Sequence, residues 1–180
     1  MRNLAVQMYM TVDGVMEAPE NWSFEYWTDA HEQYAFDRLR AADALLLGRA
    51  TYTQFAGAWP SRSDPFADRM NAITKHVVSS TLNDKDLSWN NSQLINGDVA
   101  GEVARLKQQP GQDILLYGSG RLFNLLFDHG LIDEFRLWVF PLVLGRGDRL
   151  FTEGNALNKL RLVDTTSFDT GVAILTYQPA

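Results

Sequence analysis

Two short apolar runs, each closed by a glycine, restrict the fold of this chain more than any other feature. Ala44-Leu45-Leu46-Leu47 ends at Gly48, and Ile114–Tyr117 ends at Gly118. A strand that is apolar at successive positions has no side to show to water, because neighbouring side chains point to opposite faces. Such strands belong in a sheet covered by helices on both faces, most often a parallel one. The segments between them carry helical spacing. Tyr34, Ala35, Leu39 and Ala42 recur over about Asp29–Ala41 behind a candidate Asp29 cap, and Asp64-Pro65 opens a helix with Phe66, Met70 and Ile73 on one stripe. Asp98 caps a helix carrying Val99, Val103 and Leu106 that Pro110-Gly111 ends, and Leu122–His129 is apolar around most of its circumference until Gly130. Further strands are expected at Leu4–Thr11, with Val6, Met8 and Met10 on one face, at His76–Val78, and in the tail at Phe135–Val143, Leu160–Val163 and Val172–Tyr177. No repeat or linker divides the chain, so residues 1–180 read as a single α/β domain with a central mixed sheet and a β-rich C-terminus.

Composition removes several classes of function. The 180 residues are 46% hydrophobic and 21% charged, enough to build a core. With 16 basic against 22 acidic residues the net charge is −6, so a broad basic face for nucleic acid or anionic lipid is not expected. The absence of cysteine removes disulfides, thiolate nucleophiles, iron–sulfur clusters and cysteine zinc sites together. No apolar run approaches the roughly 18 residues of a membrane span, and the N-terminus lacks the pattern of a signal peptide, so the expected location is the cytoplasm. Asn21-Trp22-Ser23 and Asn90-Asn91-Ser92 match the glycosylation acceptor pattern by chance in that setting. His31, His76 and His129 are too widely spaced for a metal site, and no nucleophile elbow of the G-x-S-x-G kind is present.

Three strand ends carry small and hydroxylated residues: Gly48-Arg49-Ala50-Thr51, Ser79-Ser80-Thr81 and Gly118-Ser119-Gly120-Arg121. In open α/β sheets ligands bind beyond the carboxyl ends of the strands, so the three can meet in one crevice. Glycine lets backbone N–H groups approach a phosphate, and a helix starting just after it adds partial positive charge. Arg49 and Arg121 add charge-assisted contacts. Singly each segment is an ordinary tight turn; together they suit a nucleotide bearing several phosphates. Gly145-Arg146-Gly147 reads as a hairpin turn or a further anion grip, and Asp133-Glu134 as the start of a surface strand, a subunit contact or an acid–base pair.

The runs Leu47–Tyr52, Lys75–Leu82, Gly118–Gly120 and Gly130–Glu134, together with Phe140–Gly145, resemble the dihydrofolate-reductase-like superfamily. More closely they are similar to its small stand-alone proteins related to the reductase domain of the bifunctional riboflavin-biosynthesis deaminase/reductase. The resemblance runs from Leu4 to about Tyr177. It implies a dihydrofolate-reductase-like three-layer sandwich, its mostly parallel sheet flanked by helices on both faces, with NADPH as hydride donor. It further implies that Gly48, Arg49 and Thr51 meet the cofactor's phosphates, with Arg49 on the adenosine 2′-phosphate. Ser79, Ser80 and Thr81 then flank the adenosine half, Gly118, Ser119 and Gly120 form the pyrophosphate loop, and Arg121 and Leu122 lie beside the adenosine phosphate and ring. Two departures stand out. Thr74 replaces the arginine with which folate enzymes clamp the glutamate tail, and Tyr117 replaces the glutamate that riboflavin-pathway reductases tend to carry before the glycines.

At the substrate end, Asp13 matches an aspartate common at this turn in the family, and also reads as a plain Asp-Gly turn. Glu32, sixteen positions before Gly48, resembles the acidic residue that orients and protonates the pterin, and equally suits a solvated helix start. Phe36 shares its helical face at i, i+4. Trp27, among Trp22, Phe24 and Tyr26, fits stacking on a flat heterocycle, core packing or a partner interface. The expectation is an NADPH-dependent reductase that transfers hydride to a small planar pterin- or pyrimidinedione-like heterocycle, with Glu32 or Asp13 handling the proton. The alternative is a non-catalytic nucleotide- or heterocycle-binding module. A homodimer joined through Leu137-Trp138-Val139-Phe140 is expected, with neither nucleic acid, membrane nor metal as partner.

Overall fold

A computed structural model of the chain describes residues 1–152 and 158–180. One eight-stranded sheet organises them. Its strands are β1 (Leu4–Thr11), β2 (Ala42–Gly48), β3 (Thr74–Val78), β4 (Ser92–Ile95), β5 (Asp113–Tyr117), β6 (Glu134–Phe140), β7 (Leu160–Ser167) and β8 (Ala173–Pro179), in the order β4-β3-β2-β5-β1-β6-β8-β7. The first six run parallel to one another and β8 is antiparallel to both its neighbours, β6 and β7, so the mixed, mostly parallel sheet is as expected.

Helices cover both faces because the central strands are apolar on both. On one face Val6, Leu46, Leu116 and Phe135 pack under α4 (Val99–Gln108) and α5 (Gly120–Asp128), with Val103, Phe123 and Leu126 in the same cluster. On the other, Ala5, Leu45, Leu47 and Leu115 pack against α1 (Asp29–Arg40), α2 (Arg49–Ala58) and α3 (Pro65–Ala72) through Leu39, Tyr52 and Met70. Asp64 caps α3 by accepting from the Ala67 amide at 2.8 Å, and Asp98 caps α4 through the Gly101 amide at 3.0 Å.

Several boundaries and elements differ from the expectation. Thr28, in an extended conformation, is the residue before α1, and Asp29 is its first helical residue, where its charge suits the dipole. β6 stops at Phe140 because Pro141 has no N–H to continue the ladder. β7 runs on to Ser167 past a bulge between Leu162 and Asp164. β4, only 4 residues long, was not expected, and α2 was expected only as a helix start after Gly48, because threonine, tyrosine and glycine dilute the helical signal of the rest. Gly145-Arg146-Gly147 is not a hairpin turn; the segment folds back on the end of β1, where the Gly145 amide donates to Asp13 at 2.8 Å. Leu137, Trp138 and Phe140 are 5%, 0% and 0% exposed on a strand enclosed by β1 and β8, so they cannot form a subunit contact. Asp133 has a structural role, accepting from the Leu4 amide and pairing with Lys107, both at 2.7 Å. Among the described residues no helix is long and apolar enough to cross a membrane.

Lys75 on β3 is wholly buried, donating to the carbonyls of Asn71 at 2.7 Å and Asn90 at 3.0 Å, with its ammonium 4.2 Å from the Trp89 ring centre. Burial without a carboxylate pushes its pKa from 10.5 down to about 8. Between those values the unfolded chain holds a proton that the folded chain has released, so stability rises with pH across that window. We expect a gain of about 1–3 kcal/mol in urea unfolding free energy as pH is raised from 7.5 to 10, absent in Lys75→Met. A flat wild-type profile would contradict the lowered pKa. Above pH 10 the trend reverses, since burial raises the pKa of Tyr9 and Tyr117 and keeps them protonated in the folded chain only.

Candidate functional site

The carboxyl ends of the parallel strands lie along one edge of the sheet. Gly48 is in register with Val78, and Leu47 with Tyr117, which brings the residues after β3, β2 and β5 to a common level. α2 begins at Arg49 with Gly48 as its cap residue, and α5 begins at Gly120 with Ser119 as its own; neither cap residue's side chain bonds to a first-turn amide. Two helix N-termini therefore point uncapped N–H groups and partial positive charge toward this edge.

Contacts between the turns are close. A Cβ on Gly48 would lie 2.7 Å from the Ser119 Cβ, and one on Gly118 would lie 2.8 Å from the Thr51 Oγ1. Gly118 and Ser119 both adopt left-handed backbone, at φ 61° and 60°, which is uncommon for serine and turns the chain sharply from β5 into α5. Met16, in the loop after β1, sits against Gly120, whose Cβ would be 3.0 Å from the methionine sulfur. Gly48, Thr51, Gly118, Ser119 and Gly120 are thus brought together. Arg49 and Arg121 are exposed in the first turns of the two helices and form no ion pair among the described residues. A cation there opposes the helix dipole by about 0.3–1 kcal/mol, so helix stability does not account for either.

Two other expected contacts change character. The Ser79 hydroxyl accepts from the amides of Thr81 at 3.1 Å and Leu82 at 3.0 Å, which makes it the organiser of its turn, with Ser80 and Thr81 exposed beside it. Leu122 is buried in the core beneath α5, so its side chain is not open to a cofactor ring.

On the face of α1 and α2, Glu32 and Phe36 line one open cleft of about 320 Å³ together with Asp29, Gln33, Pro65 and Phe66. The cleft is not itself bounded by the glycine turns. A run of aromatic contacts spans the gap: Phe36 to Phe66 at 5.8 Å, Phe66 stacked on Trp59 at 5.3 Å, Trp59 to Phe55 at 6.2 Å, and Phe55 to Tyr117 at 6.2 Å, next to Gly118. The sequence reading missed Phe55, Trp59 and Tyr117 as wall residues, although Phe55 and Trp59 have the i, i+4 spacing of one helical face.

Trp27 is not part of this wall. It stacks on Trp138 at 5.8 Å and leans on His31 at 5.7 Å, over β6 and away from Phe36. His31 is buried there, bonded to the Thr28 hydroxyl at 2.7 Å and the Thr170 hydroxyl at 3.3 Å, and burial lowers its pKa. Asp13 accepts from the Thr11 hydroxyl at 2.6 Å and from the amides of Gly145 at 2.8 Å and Leu144 at 3.2 Å. These bonds, that from Thr11 foremost, lower its pKa, and a carboxylate held in its charged form is a poor proton donor. Asp13 fastens the loop after β6 to the turn after β1. Among the described residues no cluster of three metal-ligating side chains occurs.

The fold has counterparts among solved structures. The Enterococcus faecalis dihydrofolate reductase complexed with NADP(H) aligns over 98% of this chain and 96% of its own, with a TM-score of 0.59 at 17% identity. The Thermotoga maritima diaminohydroxyphosphoribosylaminopyrimidine deaminase/5-amino-6-(5-phosphoribosylamino)uracil reductase matches 99% of this chain and 57% of its own, with a TM-score of 0.69 at 15% identity. At those identities the likeness establishes the fold. In sequence, the chain is 32% identical to the uncharacterized Bacillus subtilis strain 168 protein YyaP over 181 residues, 98% of this chain and 94% of the relative. The family model of the RibD C-terminal domain matches residues 2–174, and the chain accordingly belongs to that reductase-like family.

Proposed function

We propose that this chain is an NADPH-dependent reductase acting on a small planar heterocycle of pterin or pyrimidinedione type. The observation that carries the reading is the meeting of two uncapped helix N-termini through Gly48, Thr51, Gly118 and Ser119, at distances that leave no room for a side chain on either glycine. Oriented amides without internal partners, flanked by Arg49 and Arg121, form a cradle for a pyrophosphate and a further phosphate group. NADPH, when bound, supplies the hydride. The family likeness supports this choice of nucleotide.

The chain's own residues would bind and orient. The first-turn amides of α2 and α5 hold phosphate oxygens, and Arg49 neutralises the 2′-phosphate. The rings of Phe36, Phe66, Trp59 and Phe55 offer an apolar wall for a flat substrate. Glu32, which shares that wall's cleft with Asp29, delivers a proton to a ring nitrogen or oxygen, directly or through water. Titrating NADPH against the protein while following tryptophan fluorescence tests the reading: saturable quenching is expected, and none up to millimolar concentration would remove it. Saturable binding without NADPH oxidation across pterins, pyrimidinediones, flavins and quinones would move the assignment to a non-catalytic binding module.

A further inference from the structure

Beneath the glycine turns the sheet carries polar groups that its own packing leaves unmatched. Gln7 on β1 is 2% exposed, and its Oε1 has no hydrogen-bond partner; Tyr117 on β5 is half-buried, but its hydroxyl is buried and equally unpartnered. The two residues are in register across the β1–β5 pair, so their side chains stand side by side on one face. That face is the one of α1 and α2, because Ala5, two residues before Gln7, and Tyr117 both belong to its core cluster. The row is also the last one below the crevice. Tyr117 precedes Gly118, pairs with Leu47 just before Gly48, and touches Phe55, where the aromatic wall begins.

Buried polar atoms in folded proteins nearly always have partners, so an adjacent pair without them points to a group that arrives from outside. A carboxamide presents an acceptor and a donor side by side, and a phenol can act as either. Their complement is the N–H and C=O of a cis-amide edge in a ring. We infer that Gln7 and Tyr117 form the floor of the heterocycle site and read the lactam edge of the substrate through the Gln7 carboxamide and the Tyr117 hydroxyl. The inference rests on the reductase reading for the position of the substrate beside the crevice. It adds the residues that select the ring and the functional group they select.

Lumazine, a fused pyrimidinedione that fluoresces, is a suitable probe, with 1,3-dimethyllumazine as the analogue whose amide nitrogens cannot donate. Wild-type protein should bind lumazine saturably and bind the dimethyl analogue about tenfold more weakly, the worth of roughly one neutral hydrogen bond. Gln7→Leu and Tyr117→Phe should each weaken lumazine by about tenfold while the melting temperature stays level or rises, since an apolar replacement removes an unmatched polar atom. Lumazine affinity unchanged in both variants, with a raised melting temperature, would show that the pair only encloses water, and would overturn the proposal. So would equal affinity for the two lumazines, a comparison that needs only the wild-type protein and survives misfolding of either variant. NADPH titrated alone separates the two readings. Cofactor binding with no lumazine binding sinks the substrate floor only, whereas lumazine binding without cofactor binding sinks the reductase assignment and leaves the floor standing.

Discussion

Gly48→Ala is expected to reduce NADPH affinity by about a hundredfold, a loss of the order that misplacing a binding constellation by about an ångström produces. The added methyl would meet the Ser119 Cβ at 2.7 Å, closer than carbon atoms approach without something moving. A serine hydroxyl can rotate away; its Cβ cannot move without the backbone. The start of α5 must therefore retreat from the start of α2, which pulls apart the two sets of amides said to grip one pyrophosphate. The same strain costs about 1–3 kcal/mol of folding stability, the usual range for overpacking. Titration by fluorescence and thermal unfolding should be run on the same sample, so that the hundredfold loss, about 2.7 kcal/mol of binding free energy, is read on protein shown to be folded. If NADPH binds the variant as tightly as the wild type, the two helix starts do not share a ligand.

Arg49→Ala should discriminate between the two nicotinamide cofactors. A hydrogen bond to a charged group contributes about 1.5–3 kcal/mol, so removing the guanidinium should weaken NADPH by about ten- to a hundredfold. NADH, which lacks the 2′-phosphate, should change little. The effect should shrink at high salt, since Arg49 is exposed and its attraction is screened. Equal losses for both cofactors would move Arg49 to the pyrophosphate or to a purely structural role, and no loss for either would take it out of the site. Arg121→Ala, tested alongside, shows which of the two first-turn cations meets which phosphate group.

How far the sequence disclosed all this depends on the kind of signal. The central strands were legible because Ala44–Leu47 and Ile114–Tyr117 are apolar without interruption, and burial on both sheet faces permits nothing else. α3 and α4 were legible because Asp64 and Asp98 sit where a side chain caps a first turn. The extent of α2 was hidden because its sequence, RATYTQFAGA, opens on residues that also fit a phosphate-binding turn. The glycine turns were found by residue type, and their convergence was a matter of sheet order. The substrate side was less legible for a physical reason. Glu32 and Phe36 follow from i, i+4 spacing, but the Gln7–Tyr117 pair spans 110 positions and is set only by strand register. Trp27 misled because an aromatic residue in a loop carries no sign of which cluster will absorb it. Asp13 misled likewise: an Asp-Gly turn does not announce that amides 131 and 132 residues away will occupy its oxygens.

The place of the first strand in the sheet has a consequence for how the molecule is assembled. β1 lies between β5 and β6, whose residues come more than a hundred positions later in the chain. During synthesis, Leu4–Thr11 therefore waits without a partner until Asp113–Tyr117 have emerged and keeps one open edge until residues near Phe140 follow, while β2, β3 and β4 can associate earlier with each other. Long closures of this kind slow folding and lengthen the period in which apolar edges are open to aggregation. Ribosome-bound chains arrested before β6 is complete should be protease-sensitive at their N-terminus, and resistance there should appear only once the last parallel strand is available.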